Sequence, residues 1–305
     1  MRMRSWAAVA ALVGALVAGG PQPASAAGTD SCARPARAEV FREGGVPVLD
    51  WRENLEFDGR GTLWVSHSGK GRVEGYGPDG RLRASLPVVG PGALRRGSDG
   101  MMYVNYGVHP LAWDGGILRF DPTAAQPRPQ KVVGGLHGIN GLAIDGEGNF
   151  YLSRELATGI LKVRPDGSRD DDWTRRAGVF GTNGLEIVGD QLYASVLADA
   201  TSRVVRIPLA APERHTVVAR LSDGLLHTRL LDDLTAFHDG SLVVASFRYG
   251  RLVEVDPATG RSCTLVDGLH MPTSVRVPRG FGGADPRREL FVSEASGRIM
   301  KITVG

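Results

Sequence analysis

One phrase returns around this chain at a nearly fixed interval, and it leaves little choice of architecture. Glu53-Asn54-Leu55-Glu56-Phe57-Asp58 runs into Gly61-Thr62-Leu63-Trp64-Val65-Ser66. Asn140-Gly141-Leu142-Ala143-Ile144-Asp145 runs into Gly148-Asn149-Phe150-Tyr151-Leu152-Ser153. Asp232-Asp233-Leu234-Thr235-Ala236-Phe237 runs into Gly240-Ser241-Leu242-Val243-Val244-Ala245. In all three the leading residue stands eight positions before the turn glycine. A fourth copy starts at Asn183 with a turn one residue shorter, and degenerate copies start at Gly92 and Thr273.

The starts at 53, 92, 140, 183, 232 and 273 are spaced by 39, 48, 43, 49 and 41 residues. Strand-rich units with a period of about 40–50 are blades of a β-propeller. Each unit reads as strand, Gly turn, strand, short turn, strand, then a tight turn such as Pro78-Asp79-Gly80 or Pro165-Asp166-Gly167. Apolar residues alternate with period two, and no segment carries a sustained helical period. The expected fold is all-β, a six-bladed propeller forming a single domain. The stretch Ala38-Glu39-Val40-Phe41, ahead of the first copy, supplies the outer strand of the last blade, and this overlap removes exposed sheet edges. Thr123 to Pro129 reads as a surface loop, and Gly280 to Arg288 as a solvated linker.

The first residues belong to targeting. Arg2 and Arg4 precede an apolar run from Trp6 to Ala18, too short to span a bilayer, and Ala24-Ser25-Ala26 is a small-residue cleavage site. Residues 1–26 are expected to be a signal peptide and 27–305 the mature, secreted protein, with no membrane segment left after cleavage. Removing the two arginines takes the formal charge from +3 to +1. Without a basic face, nucleic acid is not an expected partner. The two cysteines, Cys32 and Cys263, stand near opposite ends of the mature chain and are expected to pair as a disulfide. A monomer is expected.

If the units are equivalent blades, their leading positions converge on the ring axis. Those positions hold Glu53, Gly92, Asn140, Asn183, Asp232 and Thr273. Two carboxylates and two amide oxygens around an axis form a hard-cation site. An oxygen-only set of Glu53, Asn140, Asn183 and Asp232 selects Ca²⁺, or another divalent cation such as Mg²⁺. Zn²⁺ is disfavoured because no His or Cys takes a leading position. His137 and His270 each lie three residues ahead of one, and His137 has the chemistry of a general base. Asp233 reads either as a second ligand or as a solvated strand residue, while Ser153-Arg154-Glu155 reads as a structural turn.

These residues resemble the SMP-30/gluconolactonase/LRE-like family of six-bladed propellers, whose members bind a divalent cation at the axis and in many cases hydrolyse lactones. The family's metal Glu falls on Glu53, its axial asparagines on Asn140 and on Asn183 within Thr182-Asn183-Gly184-Leu185, and its metal Asp on Asp232 within Leu231-Asp232-Asp233-Leu234. The chain departs from the pattern at Leu55, where a proline is usual, and at Gly138, where some sugar-lactone members carry arginine. His137-Gly138-Ile139 is similar to the His-Gly-Ile phrase of paraoxonase-type propellers, which holds a catalytic His. The resemblance implies a metal-dependent hydrolase of a small lactone or ester, with Asp232 as ligand and candidate base and His137 as the alternative base. The rival expectation is a non-catalytic propeller that binds a protein or glycan and keeps a structural cation.

Overall fold

The structure is a computed structural model that describes residues 30–108, 114–197, 199–222 and 224–305. The expected signal peptide lies outside the described residues. Six antiparallel sheets follow one another around an axis. Their innermost strands are Arg52–Phe57, Leu94–Arg96, Leu142–Ile144, Thr182–Val188, Leu231–Ala236 and Pro272–Arg276. In four blades the second, third and outer strands follow in sequence order, while blades three and six differ in their outermost element. The face on which the innermost strands begin is called the upper face. The antiparallel order puts two kinds of connection there: those from second to third strand, and those from one blade to the next.

The ring closes by overlap. Ala36–Arg42 pairs antiparallel with Ile299–Val304, with Ala36 opposite Val304 and Glu39 opposite Lys301, and becomes the outer strand of the sixth blade. Cys32, just ahead of it, is bonded to Cys263 of the fifth blade with their Cα atoms 5.0 Å apart. Tying residues 231 apart restricts the unfolded chain by about 5 kcal/mol in the chain-entropy account.

Blade three departs from the pattern. It has three strands, and the short helix α1, Asp171–Arg176, takes the place of the fourth. Asp170 caps α1 by accepting from Trp173 N at 3.1 Å, and acidic residues open the helix while arginines close it, in line with its dipole. Lys162 N donates to Thr174 Oγ1 at 3.1 Å, so α1 takes over part of the missing strand's hydrogen bonding. Six residues are too few to show a helical period in the sequence.

The core lies between blades. Six apolar clusters occupy the six blade interfaces, such as Leu55, Phe57 and Leu63 of blade one against Phe291 and Ile299 of blade six. Truncating one such residue, for instance Leu290 to alanine, would cost about 2–5 kcal/mol. The stretch Gly280 to Arg288 is not simply a solvated linker. Phe281 is 4% exposed and packs against Phe41, Phe57 and Phe291, with ring centroids 5.0–6.0 Å apart. A lone aromatic among glycines gave no periodic signal of that burial.

Candidate metal centre

The leading positions are held by the neighbouring blade as well as by their own strand. Five of six blades carry Ser or Asn at an equivalent site near the end of the second strand: Ser66, Asn105, Ser153, Ser195 and Ser293. Ser66 Oγ donates to Gly92 O at 2.6 Å, Asn105 Nδ2 to Asn140 O at 2.7 Å, and Ser195 Oγ to Asp232 O. Thr273 Oγ1 donates to Arg52 O at 2.6 Å, next to Glu53. Each of these polar groups therefore pins the start of the next innermost strand. Four innermost strands also slip register here, between Arg52 and Asn54, Thr182 and Leu185, Leu231 and Leu234, and Pro272 and Ser274. Such bulges re-aim side chains at the start of a strand.

The Asn-Gly pairs have a packing cause beyond turn preference. A Cβ on Gly141 would lie 2.1 Å from Asn183 O, and one on Gly184 would lie 2.5 Å from Asp233 Cα. Adjacent blades approach so closely at the axis that only glycine fits behind each asparagine.

Glu155 joins the asparagines. Its Oε1 accepts from Asn140 Nδ2 at 2.5 Å and from Asn183 Nδ2 at 3.1 Å. Those donations orient both amides and leave each Oδ1 as a free acceptor. Glu53 accepts from Trp51 Nε1 at 2.5 Å. Burial, then Glu155 and Asp233, push the Glu53 carboxyl up to about 7. Asp232 is 7% exposed, and burial followed by Glu53 and Glu155 raises it well above the usual carboxylate range. Glu155 is raised by burial as well. Among the described residues none of these three acids has a Lys, Arg or His partner. They do not bring three carboxylate oxygens within 4.8 Å of one another; among the described residues Cys32, Cys263 and Glu254 do bring ligand atoms that close, but their sulfurs are committed to the disulfide.

Asp233 is neither solvated nor part of that cluster. It is 2% exposed and lies one step further along the axis. It accepts from Asn54 Nδ2 and Ser274 Oγ, each at 2.8 Å, and meets Arg276 Nη2 at 2.9 Å and Arg95 Nη2 at 3.2 Å. Arg95 also reaches across to Leu185 O at 3.0 Å. This ionic plug separates the upper carboxylates from a cavity of about 280 Å³ lined by all six innermost strands, including Glu56, Glu186, Arg95, Arg276 and Arg279. Burial raises Glu56 and Glu186 to about 7.

The histidines divide. His137 is exposed on the upper connection leading to Asn140 and makes no hydrogen bond to a described residue. The His270 backbone N–H donates to Glu294 Oε1 at 2.8 Å. His67 is buried, with Nδ1 3.1 Å from Glu74 Oε2, and is structural. Sequence reasoning missed Glu155 as the group that bridges two leading positions. Its only signal was an acid two residues past Ser153, outside the repeated phrase.

No protein-family model matches the chain, and no curated protein matches it by sequence. Solved structures do match it by shape. A gluconolactonase from Xanthomonas campestris superposes with a TM-score of 0.66 at 16% identity, over 93% of this chain and 99% of that one. A luciferin-regenerating enzyme gives 0.64 at 15%, over 88% and 95%. A virginiamycin B lyase from Staphylococcus aureus, captured with quinupristin, gives 0.59 at 10%, over 88% and 99%. The chain shares with these structures the six-bladed propeller fold.

Proposed function

We propose that this protein is an exported, divalent-metal-dependent hydrolase of lactones or related esters. The observation that carries the reading is the group of acids at the upper axis, buried Asp232 with half-buried Glu53 and Glu155, which has no basic partner among the described residues. Crowding of partly desolvated carboxylates favours their protonated forms or a cation between them. Glu53, Asn140, Asn183 and Asp232 would hold the ion, with Glu155 orienting both amides. Oxygen donors suit Ca²⁺ or Mg²⁺. When bound, the cation would polarise the substrate carbonyl. Asp232, or His137 on the rim, would take the proton from attacking water. The gluconolactonase and luciferin-regenerating enzyme among the neighbours support a lactonase-like activity. The disulfide supports export, because such bonds persist in oxidising compartments.

The test is a panel of lactones and aryl esters, assayed in EDTA and again after Ca²⁺ is restored. Turnover lost in EDTA and regained with Ca²⁺ is the expected result. Tight Ca²⁺ binding without turnover of any substrate would replace this reading with a binding propeller that keeps a structural cation.

A further inference from the structure

We propose that the unreacting part of the substrate is an alkyl or aryl chain seated on an apolar rim around the upper mouth, an inference that rests on the hydrolase reading. Among the described residues six large apolar side chains are more than half exposed: Val46 (58%), Leu49 (64%), Val89 (81%), Leu156 (69%), Phe180 (53%) and Leu226 (82%). Single exposed apolar residues are ordinary and scatter over a surface. Here all six lie on upper-face connections: Val46 and Leu49 ahead of blade one, Val89 ahead of blade two, Leu156 within blade three, Phe180 ahead of blade four and Leu226 ahead of blade five. The four less exposed ones lie elsewhere, Leu82 and Val188 at lower strand ends and Val40 and Val217 on outer strands, so the most exposed apolar side chains gather on the upper face.

The rim is tied to the carboxylates by short chains of contact. Leu156 follows Glu155 directly. Phe180 bridges to Thr158 of the same loop and stands three residues ahead of Asn183. On the other side Arg248 Nη1 donates to Leu226 O at 3.3 Å, and the adjacent Phe247 stacks on Trp51 at 5.8 Å. Trp51 in turn donates to Glu53. A molecule whose ester group reaches Glu53 and Glu155 therefore lays its remainder along these side chains. They offer no donors or acceptors to a polyol, whereas an alkyl chain gains from their burial. The rim runs along several blades around the mouth, which fits a substrate entering the axis better than a partner lying on one flank.

The experiment is a series of γ-lactones whose alkyl substituent lengthens from methyl to octyl, with a gluconolactone as the hydroxylated control, in saturating Ca²⁺. A fully buried methylene gives about fourfold tighter binding, so on an open rim kcat/KM should rise about twofold per methylene, and about a hundredfold across the series. Phe180→Ser and Leu226→Ser should flatten that slope, and melting temperatures in EDTA equal to that of the parent protein show that each variant is folded. Turnover with no dependence on chain length overturns the inference but keeps the hydrolase. If no lactone is turned over, the hydrolase reading fails, and calorimetry with the matching lactams decides the rim separately. Chain-length-dependent affinity lost in Phe180→Ser sustains it, and equal affinities refute it. Binding to phosphatidylcholine vesicles that Phe180→Ser and Leu226→Ser abolish, with a flat lactone series, would reassign the rim to a membrane surface.

Discussion

Asn140 Nδ2 and Glu155 Oε1 lie 2.5 Å apart, joining the start of an innermost strand to the upper connection between the second and third strands of the same blade. The same oxygen takes the amide of Asn183 from the next blade, so one carboxylate aligns two candidate ligands. Replacing it should weaken the site without unfolding the ring. Glu155→Gln is expected to lower Ca²⁺ affinity about 10–100-fold, as loss of a group that orients ligands does, with little change in melting temperature in EDTA. Calorimetric titration measures the first and thermal denaturation the second.

Asp232 gives the sharpest test of the metal centre. Ca²⁺ at a hundredfold excess over its Kd stabilises a folded protein by about 2.7 kcal/mol, or several degrees in Tm for a chain of this size. Asp232→Ala should lose that Ca²⁺-dependent rise and any hydrolysis with it. The raised Glu53 and Asp232 carboxyls also fix a sign. They hold protons that the cation must displace, so Ca²⁺ affinity should climb from pH 6 to pH 8 and binding should release protons to the buffer. Affinity independent of pH would remove these acids from the ligand set.

His137 stands on the rim, three residues ahead of Asn140, and is not itself at a leading position. His137→Ala should therefore leave Ca²⁺ affinity intact while lowering kcat by about 10²–10⁴-fold, the usual contribution of a general base. An unchanged kcat would move the proton transfer to Asp232.

The lower cavity predicts a pH effect on stability. Glu56 and Glu186 are raised to about 7 in the fold, against about 4.3 in an unfolded chain. Between those values the folded protein holds the extra protons, so stability falls as pH rises from about 4.5 to 7, then levels off. Glu186→Gln removes one of these acids and should stabilise the protein at pH 8 by about 1 kcal/mol, with little gain at pH 4.5. Denaturant midpoints at the two pH values compare the pair. Equal gains at both would show that the carboxyl ionises freely in the cavity.

Read alone, the sequence determined the blade count, the ring closure and the register of the leading positions. A turn glycine eight residues downstream fixes where each clear copy begins, and strand alternation marks each unit as a blade. Those are local signals, repeated often enough to be read. Glu155 was not legible as a bridge, because it belongs to a loop outside the phrase, and only the folding of blade three brings it to Asn140 and Asn183. Asp233 could not be placed either. Asn54 and Arg95, two of the groups that claim it, are 179 and 138 residues away, and the choice between ligand and ionic plug depends on which tier of the axis it faces. Phe281 and α1 are single events with no repeat to announce them. Periodic backbone chemistry is written along a chain, whereas the meeting of side chains from six blades at one axis exists only once the ring has closed.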